Sequence, residues 1–265
     1  MPLEKGQWVF PCKPGVIWKT ASQITICTTY LLSKFWLSWV NQVQVHHKEI
    51  LQEQVEQLRL KKRPLITVAN HTSSLDDCIL CGLFKFTSFC NLKTARWTPG
   101  ASEIAFIKRR YNYYFSLGQV VPVLRGDGVY QRGMDFCLEK LNNCGWTNIY
   151  AEGKVNMTND FLRFKWGVGR LISECKMVPL VVPIWHIGMD DILPNYPPYI
   201  PRRNKKVTVI VGQPLDLRES VEKMKAEILS PLEMRKKITD AIQEEMKLLK
   251  ARAEALHTLH IHQQR

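Results

Sequence analysis

Five short runs of aliphatic and β-branched residues constrain the fold of this chain more than any other feature. They are PLITVAN (64–70), QVVPVL (119–124), TNIYA (147–151), PLVVPIW (179–185) and KVTVIVG (206–212). Each has the length and composition of a strand, and PLITVAN and PLVVPIW read as buried ones. Segments with helical periodicity lie between them, notably VYQRGMDFCLEKLNN (129–143) and FLRFKWGVGRLISEC (161–175). That alternation predicts an α/β fold with an at least partly parallel sheet flanked by helices.

Before the first strand, HHKEILQEQVEQLRLKKR (46–63) reads as a polar helix ending in a basic cluster. At the other end Ser230, Pro231 and Glu233 form a capping box with proline at the first helical position. Ile238, Ile242, Leu249 and Leu256 then make the apolar stripe of a long helix that packs on the domain, with membrane binding through its lysines as the alternative. A chain of 265 residues, 45% hydrophobic, has material for one substantial core with appendages. The expected division is a membrane-associating helical segment (1–62), a catalytic α/β core (63–215) and a carboxyl-terminal helical region packed on that core (216–265). NYPPYIPRR (195–203) reads as an exposed excursion.

Val16 to Val40 is aromatic and aliphatic, but its longest charge-free run, Thr20 to Ser33, falls short of the ~20 apolar residues a spanning helix needs. Trp18, Trp36 and Trp39 sit near Lys19 and Lys34, which suits the headgroup level of a bilayer. An interfacial or monotopic helix is therefore expected, an ordinary core helix being the alternative. The amino terminus lacks the pattern of a cleaved signal or transit peptide, so an uncleaved chain is expected. The net charge of +13 favours an anionic partner, either a membrane surface or nucleic acid. The aromatics are concentrated in the apolar amino-terminal stretch rather than interleaved with lysines, which argues against nucleic acid. The eight cysteines show no zinc-ligand spacing, and Cys78 and Cys81, the one C-x-x-C pair, fit the inner face of a short helix. His257, His260 and His262 lack companion ligands and read as a frayed polar tail rather than a metal site. No cofactor is implied, and the sequence fixes no oligomeric state.

Where the first strand ends, the chain reads Asn70-His71-Thr72-Ser73-Ser74-Leu75-Asp76-Asp77. Five positions at ~100° each would place His71 and Asp76 on different faces of one helix, so the pair requires a turn between them. Ser73 is expected to cap a helix whose third residue is Asp76, letting the carboxylate bend back to the imidazole. A carboxylate on one ring nitrogen fixes the tautomer and leaves the other nitrogen free to act as a general base. Taken alone, the spacing also fits a plain capping box with a turn histidine.

Three further segments bear on the choice. Arg125 ends a strand before Gly126-Asp127-Gly128 and a helix, a place where a guanidinium and helix amides can converge on a phosphate. Glu152, Gly153 and Lys154 follow another strand, where glycine admits close approach of a ligand. Pro179 and Pro183 shape a buried strand ending at His186, which reads as a core or site-lining histidine rather than a second base.

In order, these blocks resemble the glycerolipid acyltransferase family, whose pattern is H-x4-D, a strand ending in arginine, F-P-E-G, and a V-P-containing strand. The resemblance runs over nearly the whole chain, most specifically in residues 96–104, 125–136, 152–172 and 185–199. It implies His71 and Asp76 as catalytic dyad and Arg125, Glu152, Gly153 and Lys154 as phosphate or headgroup contacts. It is nearest to the mitochondrial phospholipid–lysophospholipid transacylases of that family. Exchange between lipids without acyl-coenzyme A follows from it, with cardiolipin and monolysocardiolipin as substrates, at a mitochondrial membrane facing the intermembrane space. An acyl-coenzyme A dependent lysophospholipid acyltransferase would use the same dyad, and a catalytically idle basic membrane adaptor is the non-enzyme alternative. One block departs from the pattern: Tyr150-Ala151 stands where the family has Phe-Pro.

Overall fold

The computed structural model describes residues 3, 6–82, 85, 86, 90–158 and 160–263, without the side chains of 78–80. In chain order the elements are α1 (Val16–Phe35), which runs into a π-helical turn (Trp36–Val40), β1 (Gln42–His46), α2 (Lys48–Arg59), β2 (Leu65–Ala69) and α3 (Asp76–Cys81). Next come β3 (Thr98–Ala101), α4 (Arg109–Leu117), β4 (Val120–Val123), α5 (Arg132–Asn142) and β5 (Trp146–Tyr150). The chain closes with α6 (Gly167–Glu174), β6 (Leu180–Ile187), β7 (Lys206–Val211), β8 (Leu215–Asp216), α7 (Arg218–Ala226) and α8 (Pro231–His262).

The main sheet has the order β1-β7-β6-β2-β5, with β8 added beside β6. β2 is an interior strand parallel to both its neighbours, β5 and β6, while β7 runs antiparallel to β6. The sheet is thus mixed with a parallel heart. The QVVPVL strand does not join it: β4 pairs in parallel with β3 in a separate two-stranded sheet, bridged to the main one between Trp97 and Thr147. Three strands escape the sequence reading, the two-residue β8 and two longer ones. β1 lies in a stretch taken as wholly helical, and it was hidden because QVQVH alternates polar and apolar residues at an edge; β3, TPGA, has almost no strand propensity.

All five residues of β2 are buried because helices cover both sheet faces. On one face Ile66, Val68 and Val181 meet Leu171 and Ile172 of α6 and Ile238, Ile242 and Leu249 of α8. On the other, Leu65, Val182 and Val207 meet Ile26 and Tyr30 of α1 and Leu51 and Val55 of α2. The one polar side chain of β2, Thr67, accepts from the Trp146 indole at 2.9 Å and donates to Asn148 Oδ1 at 2.8 Å, so its burial leaves no group unpaired.

α1 buries Ser22, Ile26, Tyr30 and Ser33, continued by Leu37, and it turns Ile17, Ile24, Leu31 and Phe35 outward. Trp39 is 83% exposed beside Phe35, whereas Trp18 packs on Phe10 and Trp36 against the core, so only one of the three tryptophans projects freely. Among the described residues no helix is long and apolar enough to cross a membrane.

α8 starts on the expected capping box, with Glu233 N–H on Ser230 Oγ and Ser230 N–H on the Glu233 carboxylate. Its end is not frayed. Thr208 Oγ1 lies 3.0 Å from Nδ1 of both His257 and His260, and Lys206 Nζ donates to the carbonyls of His260, Ile261 and Gln263, neutralising the helix carboxyl terminus. The sequence reading missed this because the partners lie on β7, about fifty residues away. α6 also differs: Phe161 to Lys165 has no regular structure, Trp166 forms a turn, and helix begins only at Gly167. A Cβ at Gly169 would stand 2.3 Å from the Arg235 carbonyl of α8, so the two helices pack backbone to backbone. Gly169→Ala is expected to cost about 1–3 kcal/mol by overpacking, read as a lower urea midpoint with an unchanged slope; an unchanged midpoint would contradict this packing.

Candidate active site

Because β2, β5 and β6 are parallel and in register, Ala69 lies beside both Tyr150 and Ile184, and all three chains leave the sheet at one edge. Loops at the carboxyl ends of parallel strands are where α/β folds place their chemistry. Here they carry His71 and Glu152, with His186 beside them near the end of β6. Asn70 pins the edge: its side chain donates to His186 O and accepts from His186 N–H, both at 2.9 Å, and its own carbonyl is 2.8 Å from His186 Nε2.

The turn that follows closes on one carboxylate oxygen. Asp76 Oδ2 lies 2.8 Å from His71 Nδ1 and accepts the backbone N–H groups of Thr72 at 2.7 Å and Ser73 at 2.9 Å. Asp76 is fully buried and the His71 side chain is 21% exposed, so one face of the imidazole alone is open. A carboxylate on Nδ1 selects the tautomer that donates from Nδ1, and Nε2 is left to accept a proton. Ser73 keeps part of the expected cap: its N–H sits on the Asp76 carboxylate at 2.9 Å and its Oγ accepts the Leu75 N–H at 3.4 Å while donating to the Leu193 carbonyl at 3.3 Å, but the helix itself begins at Asp76.

Neighbouring charges hold this turn in place. Asp77 is paired with buried Arg96 and accepts from Thr98 Oγ1 at 3.1 Å. Burial by itself would weaken the hold of Arg96 on its proton, but Asp77 more than offsets that and the guanidinium stays charged. Glu152 Oε1 accepts the His71 backbone N–H at 3.1 Å. Burial pushes the Glu152 carboxyl up to about 7, against the opposing effects of that N–H, the His71 ring and Asn156. The Tyr150 ring stacks on the His71 ring, centroids 4.4 Å apart and planes 28° from parallel. From the proline-rich excursion, Asn195 Nδ2 reaches the Thr72 carbonyl at 2.6 Å.

His71 opens into a mostly apolar cavity of about 580 Å³ that also meets Arg125, Gly153 and Lys154. These residues, far apart in sequence, do come together. Arg125 is ion-paired with Glu103 and half exposed, and α5 begins only at Arg132, so no helix start follows directly on its Gly-Asp-Gly turn. Gly153 has φ +73, and a Cβ there would press on Lys165. Its N–H is taken by the Tyr150 carbonyl at 3.0 Å, so it is not an oxyanion donor in this arrangement. Arg163, Lys165 and Trp166 line the same cavity and were missed. The helical periodicity of FLRFKWGVGRLISEC conceals them, because Phe161 to Lys165 lies outside the helix.

Cys81, at the end of α3, is buried with its thiol on the Asp77 carbonyl; the Cys78 side chain lies outside the described residues. Among the described residues no group of three or more His, Cys, Asp or Glu is placed to hold a metal ion.

A mixed sheet flanked by helices, with a His–Asp pair beyond the carboxyl end of its interior strand β2 opening on a cation-rimmed apolar cavity, defines an acyltransferase-like centre. Residues 42–187 match the family model described as Acyltransferase, and the chain belongs to that family. Within it the chain is similar to tafazzin of Drosophila melanogaster, 40% identical over 252 residues covering 94% of this chain and 66% of that protein. It is also similar to Dictyostelium discoideum taffazin (40% identity, 69% of this chain and 65% of that one). A third relative is the N-acylphosphatidylethanolamine synthase of Arabidopsis thaliana (37% identity, 66% and 64%). The chain therefore spans about two thirds of the length of these relatives. The crystal structure of the 1-acyl-sn-glycerophosphate (LPA) acyltransferase PlsC from Thermotoga maritima shares the fold, with a TM-score of 0.57, 20% identity and 88% of this chain and 81% of that one covered.

The raised carboxyl of Glu152 has a consequence for stability. An acid whose folded value, about 7, exceeds its usual 4.5 binds a proton in the native state that the unfolded chain has released. Native stability should fall as pH rises from about 4.5 to about 7, by on the order of 2 kcal/mol. Glu152→Gln keeps an acceptor for the His71 N–H and should flatten that decline in urea unfolding. An equally steep decline in the variant would remove Glu152 as its source.

Proposed function

We propose that this chain is a phospholipid–lysophospholipid transacylase, with His71 as general base and Asp76 as the residue that orients it. The supporting observation is the closure of Asp76 Oδ2 on His71 Nδ1 at the mouth of an apolar cavity. In this reading Nε2 accepts the proton of a lysophospholipid hydroxyl as that oxygen attacks the acyl ester carbonyl of a donor phospholipid. The tetrahedral oxyanion collapses with cleavage of the donor C–O bond. The departing lysolipid alkoxide recovers the proton from His71, so the ring ends as it began and no water or cofactor is consumed.

Arg125 and Lys154, joined by Arg163 and Lys165, supply a cationic rim for lipid phosphate, while the apolar wall suits acyl chains. The outward face of α1, with Trp39 at its end, provides attachment to a lipid surface from one side. The resemblance to tafazzins points to cardiolipin and monolysocardiolipin as substrates and to a mitochondrial membrane facing the intermembrane space.

The test uses purified full chain, labelled donor phospholipid and monolysocardiolipin in vesicles. Transfer should proceed without coenzyme A; strict dependence on an acyl thioester would replace this reading with an acyl-coenzyme A dependent one. His71→Ala should lower turnover at least ~10²-fold while the variant stays folded and vesicle-bound. Asp76→Asn should be comparably damaging, since an amide can select the wrong tautomer, and near-normal turnover in either variant would sink the dyad. Arg125→Lys should raise the acceptor concentration needed for half-maximal rate, because a point charge cannot reproduce the planar fork. An unchanged requirement would place the phosphate elsewhere on the rim.

A further inference from the structure

Tyr150 is where the sequence departs from the family block, with tyrosine in place of phenylalanine. Its ring is the one aromatic partner of the His71 imidazole among the described residues, stacked at 4.4 Å and 28°. Its hydroxyl is buried yet has no hydrogen-bond partner. The position is fixed from below, because Tyr150 is the last residue of β5 and lies in register with Ala69, the last residue of β2. One strand thus delivers the imidazole and its neighbour delivers the ring that lies against it.

Asp76 meets the imidazole at its Nδ1 edge and touches neither ring face, so a single hydrogen bond leaves the ring plane a range of tilt about χ2. A flat neighbour against one face narrows that range to planes near its own. The charged groups around His71 do not substitute for it. Asp76 and Asp77 of α3 and Arg96 lie behind the turn. Glu152 holds the His71 backbone rather than its ring, and His186 of β6 is spent on the Asn70 carbonyl. Arg125 and Lys154 line the cavity on the open side.

We infer that Tyr150 is a positioning residue for the transfer reaction: its ring, and not its hydroxyl, sets the plane of the His71 imidazole so that Nε2 faces the cavity. The inference rests on the reading of His71 as the base. The shared feature with the family's phenylalanine is the aromatic face, and the added oxygen is carried without a partner. An unpaired buried hydroxyl contributes nothing to stability, so losing it should leave the fold at least as stable.

The experiment compares the full-length wild type with Tyr150→Phe and Tyr150→Leu in turnover, in thermal unfolding and in NMR of the His71 ring protons. Wild type and Tyr150→Phe should both show His71 carbon-bound ring protons displaced upfield by the stacked ring, with turnovers within about twofold of each other and no loss of melting temperature for the Phe variant. Tyr150→Leu should lose the upfield displacement and 10- to 10²-fold in turnover, the order expected for a misplaced catalytic group. Normal turnover in Tyr150→Leu would overturn the inference. So would a Phe variant as impaired as the Leu variant, which would assign the role to the hydroxyl. Should Tyr150→Leu fail to fold, the wild-type spectrum decides, because ring protons at ordinary positions would mean there is no stack. An active His71→Ala would instead overturn the reading of the base while leaving the stack intact.

Discussion

A single carboxylate oxygen organises the site. Asp76 Oδ2 receives two backbone N–H groups and lies 2.8 Å from His71 Nδ1 and 3.6 Å from His186 Nε2, in a place from which solvent is excluded. A buried carboxylate without such donors would have to be neutral or would destabilise the fold. With them its buried oxygen is met by donors, and the turn 71–76 is tied to that one atom. The path of the chain from β2 into α3 and the direction in which the Nδ1 edge of the imidazole points follow from that closure.

The sheet exists in the form that makes this closure possible. Parallel strands bring three separate connections out on one edge, and burial of β2 on both faces fixes their register, since a slip of one residue would turn each of its buried side chains to the opposite face. The reciprocal hydrogen bonds between Asn70 and His186 then lock the last rung before His71. The Asn70 side chain is thereby satisfied by the backbone of β6, while His186 Nδ1 is buried without a partner. The helices contribute by covering: α8 and α6 seal one face and α1 and α2 the other, leaving the strand ends as the accessible region.

The readable parts of the sequence were those with local signals. The five aliphatic runs gave strands, Ser230-Pro231-Leu232-Glu233 gave the start of α8, and the spacing of His71 and Asp76 demanded a turn. What escaped depended on partners distant in sequence. β1 is a strand because β7 pairs with it, not because QVQVH insists on it. Ser73 is tied to Leu193 as well as to the turn, because its hydroxyl donates to the Leu193 carbonyl while accepting the Leu75 N–H. Arg163 and Lys165 join the cavity only because Lys165 N–H binds the Ala151 carbonyl and draws the segment out of helix. His257 and His260 dock because Thr208 lies beneath them.

The central claim is that Asp76 holds His71 in one tautomer, with Nδ1 protonated and Nε2 available. Nitrogen-15 NMR of the histidine rings in the full-length chain at neutral pH measures this directly. The account predicts for His71 a protonated, hydrogen-bonded Nδ1 with a far-downfield proton, and an unprotonated Nε2. A His71 ring protonated at Nε2 alone, or exchanging freely between the two tautomers, would contradict it.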